Sequence, residues 1–305
     1  MTSAGTRPDA PPDYAAARAR LAHRFRQAAV VAVAGPDRAP FLQGQLTQDV
    51  RGLENGTARR AAGLTPKGKL LYFGWLVAEP ERLLLLLPAQ HSAPVLSHLA
   101  RYAVFQKVSL GDATPNFDLV GLYGPRAAGL ALPDGALRLP AEGEMAASVL
   151  APAAARGELE SALAGAGSEA PSEASCEALR IEAGRPRFGV DADEENLPDE
   201  VGLRDAVSTT KGCYVGQEIV ARLRTYGNVS RRLVGFRFPA EILPAGTAFP
   251  DPEKPGRQLG RVTSCALSPR FGPIGLGFAA RDVAEGATLH GPAGLYAVVA
   301  PLPFS

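Results

Sequence analysis

The sequence predicts an α+β protein that ends in a small all-β unit. Segments of helical and of strand spacing are mixed without the regular alternation of a doubly wound sheet. Beyond Arg232 the pattern changes to short β runs at 233–238, 259–267, 274–279 and 295–299, punctuated by Gly and Pro, which read as a β-barrel or sandwich. With 305 residues, 46% of them hydrophobic, the chain is long enough for two or three domains with ample core.

Taken in order, the Pro-rich start (Pro8, Pro11, Pro12) reads as a frayed tail over 1–13, and the Ala/Arg-rich stretch from Tyr14 is expected to be helical to about Gln27. Residues 29–34 form a strand, and Asp37 is placed to cap a helix running through Phe41, Leu42 and Leu46 towards Val50. Strands follow at 70–78 and 82–87, then a helix near 94–103 and a strand near 107–110. A second unit opens near Asn116, with a strand at 119–124 and an Ala-rich helix after Pro125, and 165–175 reads as a small, polar surface loop. The expected division is 14–115, 116–230 and 231–305.

The formal net charge of +1 asks for no nucleic-acid or anionic membrane partner. Apolar runs such as 83–87 are too short to span a bilayer, and residues 1–13 lack the apolar core of a signal peptide, so a cytoplasmic location and a monomer are expected. Cys176, Cys213 and Cys265 are far apart with no Cys-x-x-Cys pair, which fits a reducing compartment and argues against a resident metal or cluster. The four histidines show no His-Glu-x-x-His spacing, and the glycines of 272–277 lie inside the β region with no following helix.

Potential chemistry concentrates at 211–218, Lys-Gly-Cys-Tyr-Val-Gly-Gln-Glu. Gly212 and Gly216 permit a tight turn around Cys213. Gln217 to Leu223 has helical spacing, which puts the thiol just before a helix N-terminus, where the dipole and Lys211 would favour the thiolate and Glu218 would oppose it. The alternative is that Cys213 is a small buried apolar residue.

Three segments, 43–50 (Gln-Gly-Gln-Leu-Thr-Gln-Asp-Val), 64–69 (Leu-Thr-Pro-Lys-Gly-Lys) and 211–218 with Tyr214 between its glycines, resemble the signatures of the YgfZ family of folate-binding proteins. The resemblance spans nearly the whole chain. Segments 179–184, 120–127, 260–264 and 268–269 are similar also to the related aminomethyltransferase of the glycine cleavage system. It implies a three-domain, aminomethyltransferase-like ring around a folate pocket, with a C-terminal β-barrel. In the aminomethyltransferase an aspartate follows the lysine-glycine loop; here Leu71, Tyr72, Phe73 and Gly74 stand there, so that catalytic mechanism is not expected.

The resemblance also assigns roles. Glu182 is the candidate partner of the pterin's adjacent N–H donors. Tyr72, Phe73 and Trp75 are candidates for an aromatic wall, Gln43, Gln45 and Asp49 for the cavity lining, and Arg222, with Arg224, Arg231 and Arg232, for the carboxylates of the folate tail. The implied function is that of a tetrahydrofolate-binding accessory protein in iron–sulfur cluster assembly or repair. It would act through Cys213 and Lys211 on iron–sulfur assembly proteins or client iron–sulfur enzymes, with an indirect effect on tRNA modification. The alternative is a tetrahydrofolate-dependent one-carbon transferase with Cys213 as nucleophile.

Overall fold

Pairing between distant strands overrides local propensity at the start of this fold. The structure is a computed structural model that describes residues 11–141, 146–227 and 229–305; the expected tail lies outside the described residues as far as residue 10. Helix α1 (Pro12–Ala19) stops well short of Gln27, because Ala22–Arg26 forms strand β1 instead. That strand pairs antiparallel with a strand nearly a hundred residues later, Ala22 opposite Tyr123, and buries Leu21 and Ala22. Long-range ladder bonds and burial outweigh the helical preference of Ala and Arg.

Strand β2 (Ala28–Ala34) leads to α2 (Arg38–Gln45). The helix ends at Gln45 and not near Val50, since Leu46 is extended and bridges to Gly63. Asp37 stands at the N-cap position, but its carboxylate accepts from the Lys107 amide at 2.8 Å instead of capping. Strands β3 (Ala58–Leu64), β4 (Leu70–Ala78) and β5 (Arg82–Pro88), helix α3 (Ser92–Ala100) and strand β6 (Ser109–Asp112) complete a five-stranded sheet in the order β3-β4-β5-β2-β6. Helices α2 and α3 cover one face, with Phe41, Leu42, Val95 and Leu99 packed on Val31, Tyr72 and Leu85.

Strands β7 (Phe117–Tyr123), β8 (Leu137–Leu139) and β9 (Ala146–Pro152) join β1 in a second sheet, ordered β1-β7-β9-β8. The segment after Pro125 is a short 3-10 turn, Pro125–Gly129, where a helix is expected from composition. Helix α4 (Arg156–Gly165) buries Leu159 and Leu163 against this sheet. Helix α5 (Glu173–Glu182) is capped by Ser172, whose hydroxyl accepts from the Ser175 amide at 3.2 Å, and is closed by Gly184 at φ +65°. After a long irregular stretch comes α6 (Gln217–Tyr226).

The last part is all β, as composition predicts. Strands β10 (Arg231–Arg237), β11 (Ala248–Pro250), β12 (Gln258–Ser268), β13 (Gly272–Ala280), β14 (Thr288–His290) and β15 (Tyr296–Ala300) form an antiparallel sheet ordered β11-β12-β13-β10-β15-β14. Its edge strands approach each other, so the sheet is a nearly closed barrel around Phe236, Phe249, Val262 and Val299. No helix among the described residues is long and apolar enough to cross a membrane.

A buried polar network seats the barrel on α5. The Asp191 carboxylate is fully buried and accepts from the Thr263 and Ser264 hydroxyls of β12, each at 2.6 Å, from Arg180 of α5 at 2.7 Å and from the Arg187 amide at 3.0 Å. Arg180 also makes two bonds to Glu177 and one to Ser264. Removing the Asp191 carboxylate takes the acceptor from two hydroxyls and a backbone amide and leaves Arg180 with Glu177 as its one remaining carboxylate partner, so Asp191→Ala is expected to cost about 3–5 kcal/mol in denaturant unfolding.

Candidate ligand cavity and signature cluster

Where the three sheets meet, they line a cavity of about 1110 Å³ that is partly open to solvent, a size that accommodates a cofactor-sized ligand. Strands β3 and β4 contribute Arg60 and Trp75, which are directly opposite in the ladder and so lie side by side on one face. The end of α5 contributes Glu182, and the barrel side contributes Arg232, Phe271 and Phe304. The lining carries seven arginines against three carboxylates, Glu182, Asp205 and Glu285. Arg18 and Arg60 pair with Glu182 and Asp205. Arg59 and Arg232 donate to the carbonyls of Asp49 and Val283, which leave their charge uncompensated. The balance favours an anionic ligand.

Glu182 is only 5% exposed and is held on three sides. Its Oε1 accepts from the Tyr14 hydroxyl at 2.7 Å and the Ser268 hydroxyl at 2.5 Å, and its Oε2 from Arg18 Nη1 at 3.0 Å. Burial and the neighbouring Glu182 charge push the Tyr14 phenol well above its ordinary range, so it remains a donor at any working pH. Ser268 is fixed in turn, accepting from the amides of Arg270 and Phe271 in the β12–β13 turn.

The three short segments quoted from the sequence, 43–50, 64–69 and 211–218, come together in a second cluster. The Lys211 ammonium is buried and donates to the carbonyls of Gln43, Leu46 and Gln48 at 2.7, 2.6 and 2.9 Å, which uses all three of its protons. The Val215 amide donates to the Gly44 carbonyl and the Ser208 amide to the Thr47 carbonyl. Burial pushes the Lys211 pKa down to about 8, with the Asp49 charge opposing. Gly216 sits at φ +81°, and a Cβ there would lie 2.5 Å from the Thr65 carbonyl oxygen, so the turn demands glycine. Gly212 faces open space and has no such constraint.

These placements can be set beside known proteins. No protein-family model matches the chain. A tRNA-modifying protein YgfZ of Cronobacter sakazakii is 33% identical over 261 residues, covering 73% of this chain and 74% of its own length. The chain belongs to the YgfZ family. An aminomethyltransferase of Rubrobacter xylanophilus is 30% identical over 300 residues, covering 90% of this chain and 80% of its own length. A putative chloroplastic transferase of Arabidopsis thaliana is 27% identical over 282 residues and covers 84% of this chain; the chain spans 64% of that relative's length. The crystal structure of the glycine cleavage system aminomethyltransferase T from Bartonella henselae superposes with a TM-score of 0.83 at 24% identity, covering 100% of this chain and 93% of that one, which establishes an aminomethyltransferase-like fold.

In this YgfZ-family chain the residues singled out from sequence divide into three groups. Glu182 and Trp75 line the cavity together. Tyr72 does not: strand alternation turns it to the other face of β4, where it is 2% exposed among the residues under α2, with its hydroxyl unpartnered. Phe73 packs on Phe188, so the aromatic wall is Trp75 joined by Phe271 and Phe304 from the barrel side. Gln45 is buried at the end of α2 with Oε1 unpartnered, and Gln43 and Asp49 bond to each other; none of the three lines the cavity. Arg222 is exposed on α6 outside the lining, Arg224 is bound to Asp199, Arg231 to Glu200, and only Arg232 of that run reaches the cavity.

The 211–218 segment separates into a buried frame and an exposed tip. Tyr214 is buried beneath Lys211, whose ammonium lies 5.1 Å from its ring centre. Gln217 begins α6, Glu218 is exposed in its first turn, and Cys213 is an exposed free thiol that does not line the cavity. The sequence reading pairs Lys211 with the thiol as a nearby charge. The structure gives that ammonium to three carbonyls, so Lys211 positions the loop. Sequence reasoning missed Tyr14 and Arg18, and it marked Ser268 only as part of a resembling segment without its contact to Glu182, because the three stand 168, 164 and 86 residues from that carboxylate. Lys211→Met is expected to leave three carbonyls, that of Leu46 buried and those of Gln43 and Gln48 partly so, without this donor and to cost about 3 kcal/mol, read from urea unfolding.

Proposed function

We propose that this chain binds a reduced folate in the central cavity and serves, through Cys213, as an accessory factor in the assembly or repair of iron–sulfur enzymes, including enzymes that modify tRNA. The observation that carries the proposal is the convergence, in one cavity, of a buried carboxylate, an aromatic face and a surplus of arginines. A folate has a pterin edge with adjacent N–H donors, a flat ring and an anionic tail, and each of these groups has its counterpart there. Glu182 would hold the pterin edge, Trp75 and Phe271 would lie against the ring, and Arg232 with the other lining arginines would attract the tail. Bound folate would supply a carrier of one-carbon groups.

Two features support an accessory role over aminomethyl transfer. Strand β4 carries no carboxylate from Leu70 to Ala78, so no acid follows the 64–69 loop into the cavity. The exposed Cys213 sits on a loop that Lys211 fastens rigidly to the 43–48 backbone, which suits a thiol presented to another protein. The relatives named as tRNA-modifying proteins support the link to tRNA. The second reading, a tetrahydrofolate-dependent one-carbon transferase, is favoured by the likeness to the Rubrobacter aminomethyltransferase over 90% of this chain. It predicts net consumption of methylene- or formyl-tetrahydrofolate, whereas the accessory reading predicts binding without turnover.

Trp75 is the only tryptophan and lines the cavity, so its fluorescence reports occupancy directly. Titration with tetrahydrofolate is expected to saturate, and Glu182→Gln to weaken binding about 10–100-fold by removing a charge-assisted acceptor; unchanged affinity removes Glu182 from the site. Cys213→Ala is expected to keep folate affinity and fold while failing to complement a strain that lacks the protein. Full complementation by that variant refutes the role of the thiol.

A further inference from the structure

The Glu182 carboxylate has about four lone-pair positions, and the structure shows how they are used. Oε1 takes two hydroxyl donors, Tyr14 and Ser268, and is saturated. Oε2 accepts from Arg18 Nη1 alone among the described residues. Two N–H donors directed at Glu182 need two lone-pair positions. With Oε1 saturated, only one remains on Oε2 while Arg18 is bound, so the pair can be seated there only if Arg18 yields its place. The guanidinium offers the same chemistry as the aminopyrimidine edge of a pterin, planar N–H donors directed at a carboxylate, and the two compete for one acceptor.

We propose that Arg18 is a displaceable stand-in for the ligand's N–H edge, so that binding exchanges one donor for the other at Glu182 Oε2 while Tyr14 and Ser268 keep the carboxylate in place. Three observations fit an exchange. Arg18 makes a single bond through Nη1 and not the bidentate pair that would hold a guanidinium firmly. Its side chain is 23% exposed where that of Glu182 is 5%, so Arg18 has a route to solvent that Glu182 lacks. Arg18 also lies one turn along α1 from Tyr14, with its guanidinium carbon 5.9 Å from the ring centre, and the long side chain can fold back along the helix. The hydroxyl pair is anchored from opposite sides, α1 and the β12–β13 turn, and has no such freedom.

This inference rests on the folate reading of the cavity and deepens it. Pairing with Arg18 lowers the fraction of Glu182 ready for ligand, and the apparent affinity falls by that fraction. The test is calorimetric titration of the full chain and of Arg18→Met, which keeps the length and apolar stem, with tetrahydrofolate and with the tail-less 6-hydroxymethylpterin. Arg18→Gln is the second variant, retaining a neutral donor in case the Met variant folds poorly, and circular dichroism confirms folding of each.

The expected result is that Arg18→Met binds the tail-less pterin about tenfold tighter than the parent chain, with Arg18→Gln between the two. Equal or weaker pterin binding by the variant overturns the exchange. So does a loss confined to tetrahydrofolate, which would put Arg18 on the ligand's anionic tail. If the parent chain binds tetrahydrofolate and pterin but the variant shows no gain, only the exchange fails. If the parent chain binds neither, the folate reading itself fails and the exchange falls with it.

Discussion

The last turn of α5 is where the separately built parts of the molecule are tied to one another. Within three residues, Arg180 reaches the barrel through Asp191 and Ser264, and Glu182 reaches α1 through Tyr14 and the β12–β13 turn through Ser268. All these contacts are hydrogen-bonded and largely buried, so each partner is costly to leave alone. The cavity wall that carries Glu182 cannot drift relative to the barrel or to α1 without exposing an unpaired charge. The same residues that close the ring therefore fix the geometry of its centre.

The cavity and the Cys213 loop are distinct places that share a segment of backbone. The Gln48 carbonyl accepts from Lys211, while the Gln48 side chain lines the cavity and donates to the Asp205 carbonyl at 2.8 Å. Asp205 in turn pairs with Arg60 beside Trp75. A continuous run of polar contacts thus leads from the frame beneath the thiol to the cavity wall. Lys211 is buried as a cation because carbonyl dipoles replace its water, which explains why a lysine and not a neutral residue occupies that place in the loop.

Much of the architecture was legible in the sequence, and the errors have physical causes. Strands β4, β5, β10, β12, β13 and β15 announce themselves by apolar runs between glycines and prolines, whereas the three-residue edge strands β11 and β14 are too short to show a pattern; Gly184 marks the end of α5. Strand β1 was hidden because its residues have ordinary helical propensity and become a strand only through a partner on β7. The 43–50 and 211–218 segments were visible as motifs, but not their mutual contact, since nothing in either states that the Lys211 ammonium ends on the carbonyls of the other. Tyr72 was misplaced because a run of aromatics does not say which alternate face of the strand meets the cavity. Tyr14 and Arg18 left no local signal, and the 268–269 segment, visible as a resemblance, did not reveal that Ser268 ends on Glu182.

The pairing of β1 with β7 makes the first sheet an insertion within the second. Residues from Ala28 to Asp112 leave and return at neighbouring points, where the Ala113 amide donates to the Val30 carbonyl at 2.8 Å. A growing chain can complete that inserted sheet while β1 is still without its partner, and α1 meets Glu182 only after α5 has emerged. Helix α1 and strand β1 are thus made before the sheet they bracket and seated after it, which makes closure of the central cavity a late event in the birth of the molecule.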